Sequence, residues 1–207
     1  MPDSLEEILL KPIPTTNFLM PGLLPEQGKF IIGGRAKIGK SFLGLELAVN
    51  LVNGTPFLGM FPVCRPYRIF LIQAEMPRGL FISSRLLPLA RECKNGALGR
   101  FFLEQTTSIR LDSVADVQKL KGWILDCKPD VLIVDPLDSI PSGAFNMAEE
   151  VNATLQVLNF LGSDTKTAVG LIAHFRKSFI TRSGKRAEQD MQDILGSALF
   201  GAWADTI

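Results

Sequence analysis

Eight consecutive residues in the first quarter of the chain combine glycine, lysine and serine at the spacing of a phosphate-binding loop. The segment from Gly34 to Ser41 reads Gly-Arg-Ala-Lys-Ile-Gly-Lys-Ser and fits G-x-x-x-x-G-K-[ST]. The glycines let backbone N–H groups curl around phosphate oxygens, Lys40 adds a positive charge, and the Ser41 hydroxyl can bind magnesium (Mg²⁺). A helix beginning near Gly39 would point its positive end at the same place. The predicted nucleotide-binding residues are Gly34, Arg35, Ala36, Lys37, Ile38, Gly39, Lys40, Ser41 and Phe42.

Three residues with reactive side chains follow apolar runs that are typical of buried strands. Glu75, Asp135 and His174 stand at or just beyond the ends of these runs. Because the carboxyl ends of parallel strands meet at one edge of a sheet, we expect these side chains beside the phosphate loop. We predict that Asp135 holds Mg²⁺ with Ser41, through a water molecule. Glu75, Lys40 and His174 are the predicted catalytic residues: Glu75 activates water and His174 senses the γ-phosphate.

Each of these three residues also has a structural alternative. Asp135 could cap the turn after its strand, Glu75 could be a solvated turn residue, and His174 could be a structural histidine. Pro136 occupies the position next to Asp135, so an acid for water activation must come from elsewhere. Glu75 is the first candidate for that role and Asp138 is the second.

The elements that must position these residues alternate between strand and helix. The alternation predicts an α/β fold with a mostly parallel sheet and helices on both faces. Residues 1–28 are rich in proline and are predicted to form an N-terminal arm, while 29–207 form one domain. Within the second helix, Arg85 and Arg91 are predicted to face solvent. The predicted strands are 29–33, 68–73, 100–104, 130–135 and 168–173, and the helices 42–52, 79–93, 114–126, 147–161 and 195–204.

The composition is that of one globular domain. Hydrophobic residues make up 46% of the 207 positions, and the net charge of +1 gives no general attraction to nucleic acid, so any DNA contact must be local. Three widely spaced cysteines and a single histidine argue against both a disulfide framework and a zinc site, and they fit a reducing cytosol. The sequence shows neither a membrane-spanning run nor the plan of a signal peptide, so we expect a cytoplasmic protein.

A basic and polar segment, 176–190, follows the last predicted strand. It can be a solvated surface loop, a contact to the DNA backbone, or a group that reaches the nucleotide of a neighbouring subunit. Its basic residues are Arg176, Lys177, Arg182, Lys185 and Arg186.

Taken in order, these motifs resemble the RecA-like ATPases of the RepA-type plasmid and phage replicative helicases. The resemblance covers about residues 20–205 and implies a RecA-like P-loop core, ATP and Mg²⁺, a hexameric ring and single-stranded DNA in the pore of the ring. The segments that carry it are Pro21–Pro25, Gly34–Ser41, Ala74–Pro77, Leu132–Leu137, Ile172–Lys177 and Asp193–Ala198.

The chain departs from that family at three places. Phe175 stands where the family has a second sensor histidine, and Leu195 stands where it often has an arginine that reaches a neighbour's ATP. The chain also ends at Ile207, where the family usually continues into further strands, which is expected of a fragment or of a short ATPase without full helicase action. Substitutes for the missing arginine are Arg176, Lys177, Arg182 and Arg186.

The sequence therefore favours an ATP-hydrolysing motor domain that acts on DNA, of the replicative-helicase kind found in plasmids, phages and other mobile elements. Two alternatives stay open. One is a phosphotransferase with residues 176–190 as a lid, and the other is a regulatory switch that hydrolyses ATP slowly.

Overall fold

The computed structural model describes residues 4–12, 16–94, 96–106, 109–137, 148–174 and 198–207. The strands β1 to β7 are Phe18–Met20, Leu24–Pro25, Lys29–Gly34, Ile69–Gln73, Phe101–Gln105, Val131–Asp135 and Ala168–His174. The helices α1 to α7 are Leu5–Leu10, Lys40–Asn53, Arg78–Phe81, Leu87–Ala90, Val114–Cys127, Ala148–Thr165 and Ala198–Trp203. A π-helical turn, Ile82–Leu86, joins α3 to α4, and a 3₁₀ turn, Leu98–Arg100, precedes β5.

The centre of the fold is a five-stranded parallel sheet in the order β3–β7–β6–β4–β5. Strand β7 lies between β3, which leads into the phosphate loop, and β6, which ends at Asp135. Because all five strands are parallel, their carboxyl ends meet at one edge of the sheet. The predicted α/β fold class is confirmed, and the reactive residues at the strand ends share that edge.

Both faces of the sheet are covered, as expected for a parallel sheet whose central strands β4, β6 and β7 are buried almost throughout. On one face, Ile72 and Val134 belong to a core cluster with residues of α5, α6 and α7. On the other face, Leu71 and Ile133 belong to a cluster with residues of α2 and of the hairpin β1–β2. No helix within the described ranges is long and apolar enough to cross a bilayer.

Part of the segment predicted as an N-terminal arm packs against the sheet. Strands β1 and β2 form an antiparallel pair whose Leu19, Met20 and Leu24 side chains are at most 2% exposed. Helix α1 has no buried residue, and a reciprocal pair of hydrogen bonds between Ser4 and Glu7 caps its start. The hairpin is therefore part of the core, whereas α1 contributes nothing to it.

The predicted helix 79–93 differs from the structure, which has α3, a π-helical turn and α4 in its place. Two features of the sequence favour the irregular turn. The Ser84 hydroxyl donates to the Leu80 carbonyl at 2.6 Å, and Pro88 lacks the N–H that a regular helix would pair with residue 84. Arg85, which was predicted to face solvent, lies in this turn, is half-buried and lines the cavity beside the phosphate loop that is described below.

Candidate active site

The phosphate loop connects β3 to α2, as predicted. Lys37 and Gly39 have φ angles of 64° and 96°, and left-handed residues of this kind turn backbone N–H groups towards a common point. Gly39 is the residue before α2, so the first turn of that helix faces the loop. Gly54 ends α2 in a left-handed conformation with a φ of 66°, at the predicted stop.

Lys40 is the first residue of α2 and only 6% exposed. Its Nζ donates to the carbonyl oxygen of Arg35 at 2.7 Å and lies 2.9 Å from Nδ1 of His174. An ammonium group has only hydrogens to offer, so Nδ1 of His174 accepts and the ring proton sits on Nε2. The loop and the end of β7 therefore hold the lysine between them.

Ser41 and Asp135 form the second contact across the site. The Ser41 hydroxyl donates to Oδ1 of Asp135 at 3.0 Å. Asp135 is 3% exposed, and this burial raises its pKa from 3.8 to about 6, with a further rise from the charge of Glu75. The hydrogen bond from Ser41 and the positive charges of Arg85 and Lys40 act in the opposite direction.

This pair fits a magnesium ion chemically. A hydroxyl oxygen and a carboxylate oxygen are hard donors of the kind that Mg²⁺ takes, alongside waters and phosphate oxygens. A cation here would also offset the burial of the Asp135 carboxylate. No group of three histidine, cysteine, aspartate or glutamate side chains suited to a metal occurs among the described residues, so Ser41 and Asp135 would provide two ligands.

Glu75 follows β4 and is exposed at the mouth of the site. The backbone N–H of Ala74 donates to the Asp135 carbonyl at 3.0 Å, so the turn that carries Glu75 is tied to the end of β6. The cavity at this edge has a volume of about 390 Å³. Its lining residues are Ala36, Lys37, Gly39, Lys40, Ser41, Phe42, Glu75, Arg85 and His174.

The structure thus brings most of the predicted site residues together. Gly34, Arg35 and Ile38 were predicted to bind nucleotide and do not line this cavity, although Arg35 supplies the carbonyl that accepts from Lys40. Other predicted residues lie outside the described part of the chain. They are Asp138, Phe175, Arg176, Lys177, Arg182, Lys185, Arg186 and Leu195.

Arg85 is the cavity residue that the sequence reasoning missed. Its guanidinium carbon lies 4.0 Å from the centre of the Phe42 ring, a cation–π contact that holds the charge beside the phosphate loop. The signal that could have found it is the spacing of the apolar residues, because Arg85 stands four positions after Phe81 and four before Leu89. A helical wheel over 79–93 therefore places Arg85 on the apolar face of this segment.

Comparisons with known proteins agree with this architecture. A family model described as an AAA domain (AAA_25) matches residues 1–178. One solved structure, described as an ATPase domain, is similar over 87% of this chain and 68% of that one, with 12% identity and a TM-score of 0.59. The KaiC-like protein PH0186 from the archaeon Pyrococcus horikoshii OT3 is similar over 75% of this chain and 65% of that one, with 14% identity and a TM-score of 0.51. No curated protein matches the sequence.

Proposed function

Because the chain belongs to the AAA domain family and is a RecA-like P-loop ATPase, we propose that it hydrolyses ATP as a motor domain acting on DNA, of the replicative-helicase kind. One observation carries the proposal. Lys40, Ser41 and Glu75 line one cavity at the carboxyl edge of the sheet, and Asp135, which does not line it, accepts a hydrogen bond from Ser41. A charged lysine, a pair of oxygen ligands and a separate carboxylate are the groups that phosphoryl transfer to water requires.

Lys40 binds and neutralises the phosphates. In the structure its ammonium group donates hydrogen bonds to the Arg35 carbonyl and to the His174 ring. Phosphate oxygens carry negative charge and are stronger acceptors than either of these groups. We therefore infer that ATP draws Lys40 towards the β- and γ-phosphates and changes the hydrogen bonding of His174.

Ser41 and Asp135 would hold Mg²⁺, which would supply positive charge to offset the negative charge of the phosphates. Asp135 serves this role as a carboxylate. Its pKa of about 6 leaves it mostly ionised near neutral pH even before a cation arrives.

Glu75 orients and activates the attacking water. Its carboxylate is exposed in the cavity, on a turn that β4 and the end of β6 hold in place. A carboxylate that accepts a hydrogen bond from water aligns the water oxygen and takes its proton as the bond to phosphorus forms. His174 would report the state of the γ-phosphate to the residues that follow β7.

The DNA and assembly parts of the proposal rest on the resemblance to RepA-type helicases. We propose a hexameric ring, single-stranded DNA as partner, and a role in DNA replication of a plasmid, phage or other mobile element in the cytoplasm. The basic residues of 176–190 would contact DNA phosphates or a neighbour's ATP. This chain spans about two thirds of the length of the two similar structures. The similarity in fold therefore supports an ATPase domain, and the motor activity of the whole protein is a proposal.

The experiment is an ATPase assay on protein of determined oligomeric state, with and without single-stranded DNA. We expect turnover that rises with protein concentration as subunits assemble, and a further rise with DNA of unrelated sequences. The matched variant replaces Arg182, Lys185 and Arg186 by Ala and should lose the DNA effect while still binding ATP. A monomer with full turnover that DNA leaves unchanged would contradict the motor proposal and favour a phosphotransferase or a switch.

A further inference from the structure

Two glutamines lie side by side next to Asp135 at the carboxyl edge of the sheet. In the sheet register, Gln105 of β5 is paired with Gln73 of β4, and Gln73 is paired with Asp135 of β6. Gln73 is 2% exposed and Gln105 is half-buried. Amide side chains are costly to bury unless their polar atoms find partners. Two of them side by side at the carboxyl ends of β4 and β5 call for an explanation.

The Gln105 amide group bridges two points on either side of Glu75. Its Nε2 donates to Oε1 of Gln73 at 2.9 Å and also to the carbonyl oxygen of Met76. An amide nitrogen has two hydrogens, so these two bonds use both of them. The acceptors belong to residues two positions before Glu75 and one position after it.

The backbone is tied at the same turn. The N–H of Ala74 donates to the Asp135 carbonyl at 3.0 Å, and the N–H of Thr106 donates to the Gln73 carbonyl at 3.2 Å. These bonds link the end of β4 to β6 and to the end of β5, and neither of them involves Glu75 itself. Among the described contacts, the Gln105 side chain is what joins β5 to the chain beyond Glu75.

We propose that Gln105 is a positioning residue for Glu75, an inference that rests on the proposed function of this site. By holding Gln73 and the Met76 carbonyl together, it fixes the turn Ala74–Met76 and hence the direction in which the Glu75 carboxylate enters the cavity. The carboxylate must meet a water molecule within hydrogen-bond reach, and a displacement of about 1 Å can cost on the order of 100-fold in rate.

One atom argues against a purely stabilising role. Oε1 of Gln105 is buried and has no hydrogen-bond partner among the described residues. An unsatisfied buried acceptor destabilises the fold, so an apolar residue of the same size would avoid that cost. The two hydrogen bonds that Nε2 donates to Gln73 and Met76 therefore explain the presence of Gln105 better than a contribution to stability does.

The test compares Gln105→Met, which keeps length and removes the donors, with Gln118→Met on the exposed face of α5. We expect Gln105→Met to lower kcat about 10- to 100-fold while the Kd for a fluorescent ATP analogue stays within about twofold of wild type. Gln118→Met should change neither quantity. Should Gln105→Met fail to fold, Gln105→Glu keeps the shape, also removes the donors, and should lose kcat in the same way.

A double-mutant cycle with Glu75→Gln separates positioning from general damage. If Gln105 acts through Glu75, then Gln105→Met lowers single-turnover hydrolysis in the wild-type background but has little further effect in the Glu75→Gln background. Equal losses in both backgrounds, or an unchanged kcat in Gln105→Met, would overturn this inference and leave the proposed function intact. Full turnover in Glu75→Gln alone would overturn this inference and the role of Glu75, while ATP hydrolysis by the chain would stand.

Discussion

The Nζ atom of Lys40 lies 2.9 Å from Nδ1 of His174, although the two residues are 134 positions apart in the chain. The contact joins the first residue of α2 to the last residue of β7, across the neighbouring strands β3 and β7. The cation that is proposed to bind phosphate is therefore already bonded to the residue that is proposed to sense it. A movement of Lys40 on nucleotide binding would therefore change the hydrogen bonding of His174 and could affect the residues that follow β7.

His174 can be followed directly, because it is the single histidine of the chain. We expect its imidazole NMR signals to shift when a non-hydrolysable ATP analogue binds with Mg²⁺, since phosphate oxygens would take Lys40 away from Nδ1. Lys40→Ala should shift the same signals without nucleotide. Unchanged signals at saturating analogue would contradict the proposed link.

Glu75→Gln should separate binding from catalysis. The amide keeps the shape of the side chain but cannot accept a proton from water, so kcat should fall by orders of magnitude while ATP affinity is nearly unchanged. Phosphate release and analogue binding measure the two effects, with the exposed Glu92→Gln as the matched control. Persistent turnover in Glu75→Gln, together with loss in Asp138→Asn, would assign the role to Asp138.

Arg85→Ala should weaken nucleotide binding by about tenfold, because a hydrogen bond to a charged group contributes on the order of 1.5 kcal/mol. The guanidinium stacks on Phe42 at the rim of the cavity, where a phosphate or ribose oxygen can reach it. The control is Arg91→Ala, an exposed arginine just beyond α4. Equal affinities of the two variants for an ATP analogue would remove Arg85 from the binding site.

The raised pKa of Asp135 predicts a pH effect on the free protein. Its ordinary value of 3.8 applies to the unfolded chain and a value of about 6 to the folded one, so the folded state binds the extra proton between these values. The stabilising effect of protonated Asp135 is then fully present below about pH 4 and is lost as pH rises through about 6.

Urea unfolding without metal or nucleotide measures this effect. The difference in unfolding free energy between wild type and Asp135→Asn should change between pH 4 and pH 6 and be flat above pH 7, because asparagine does not titrate. A difference that is independent of pH across that range would mean that the carboxyl is not perturbed by burial.

The sequence predicted those parts of the site that local patterns determine. A glycine-bearing loop between an apolar strand and an apolar helix predicted the positions of Lys40 and Ser41, and apolar runs ending in Asp135 and His174 predicted two strand ends. These features depend on residues that are neighbours in the chain, and the observed bounds differ from the predicted ones by a few residues.

Features that depend on distant parts of the chain were not predictable in this way. The bridge from Gln105 to Gln73 exists because β5 pairs with β4, and strand order cannot be read from one strand's composition. The cation–π contact of Arg85 with Phe42 likewise joins the π-helical turn to α2, and β4 lies between the two in the chain. Helix α6 continues to Thr165, beyond the predicted position 161, and it packs against β7.

ATP hydrolysis in this cavity is proposed to depend on Lys40, and the rate of phosphate release measures that dependence. Steady-state phosphate release is compared between wild type, Lys40→Ala, and Lys94→Ala at an exposed lysine near the far end of α2. We expect turnover in wild type and Lys94→Ala, and a loss of several orders of magnitude in folded Lys40→Ala, because the phosphates then lose the buried positive charge of the loop. An unchanged rate in folded Lys40→Ala would contradict the proposed dependence of ATP hydrolysis on Lys40.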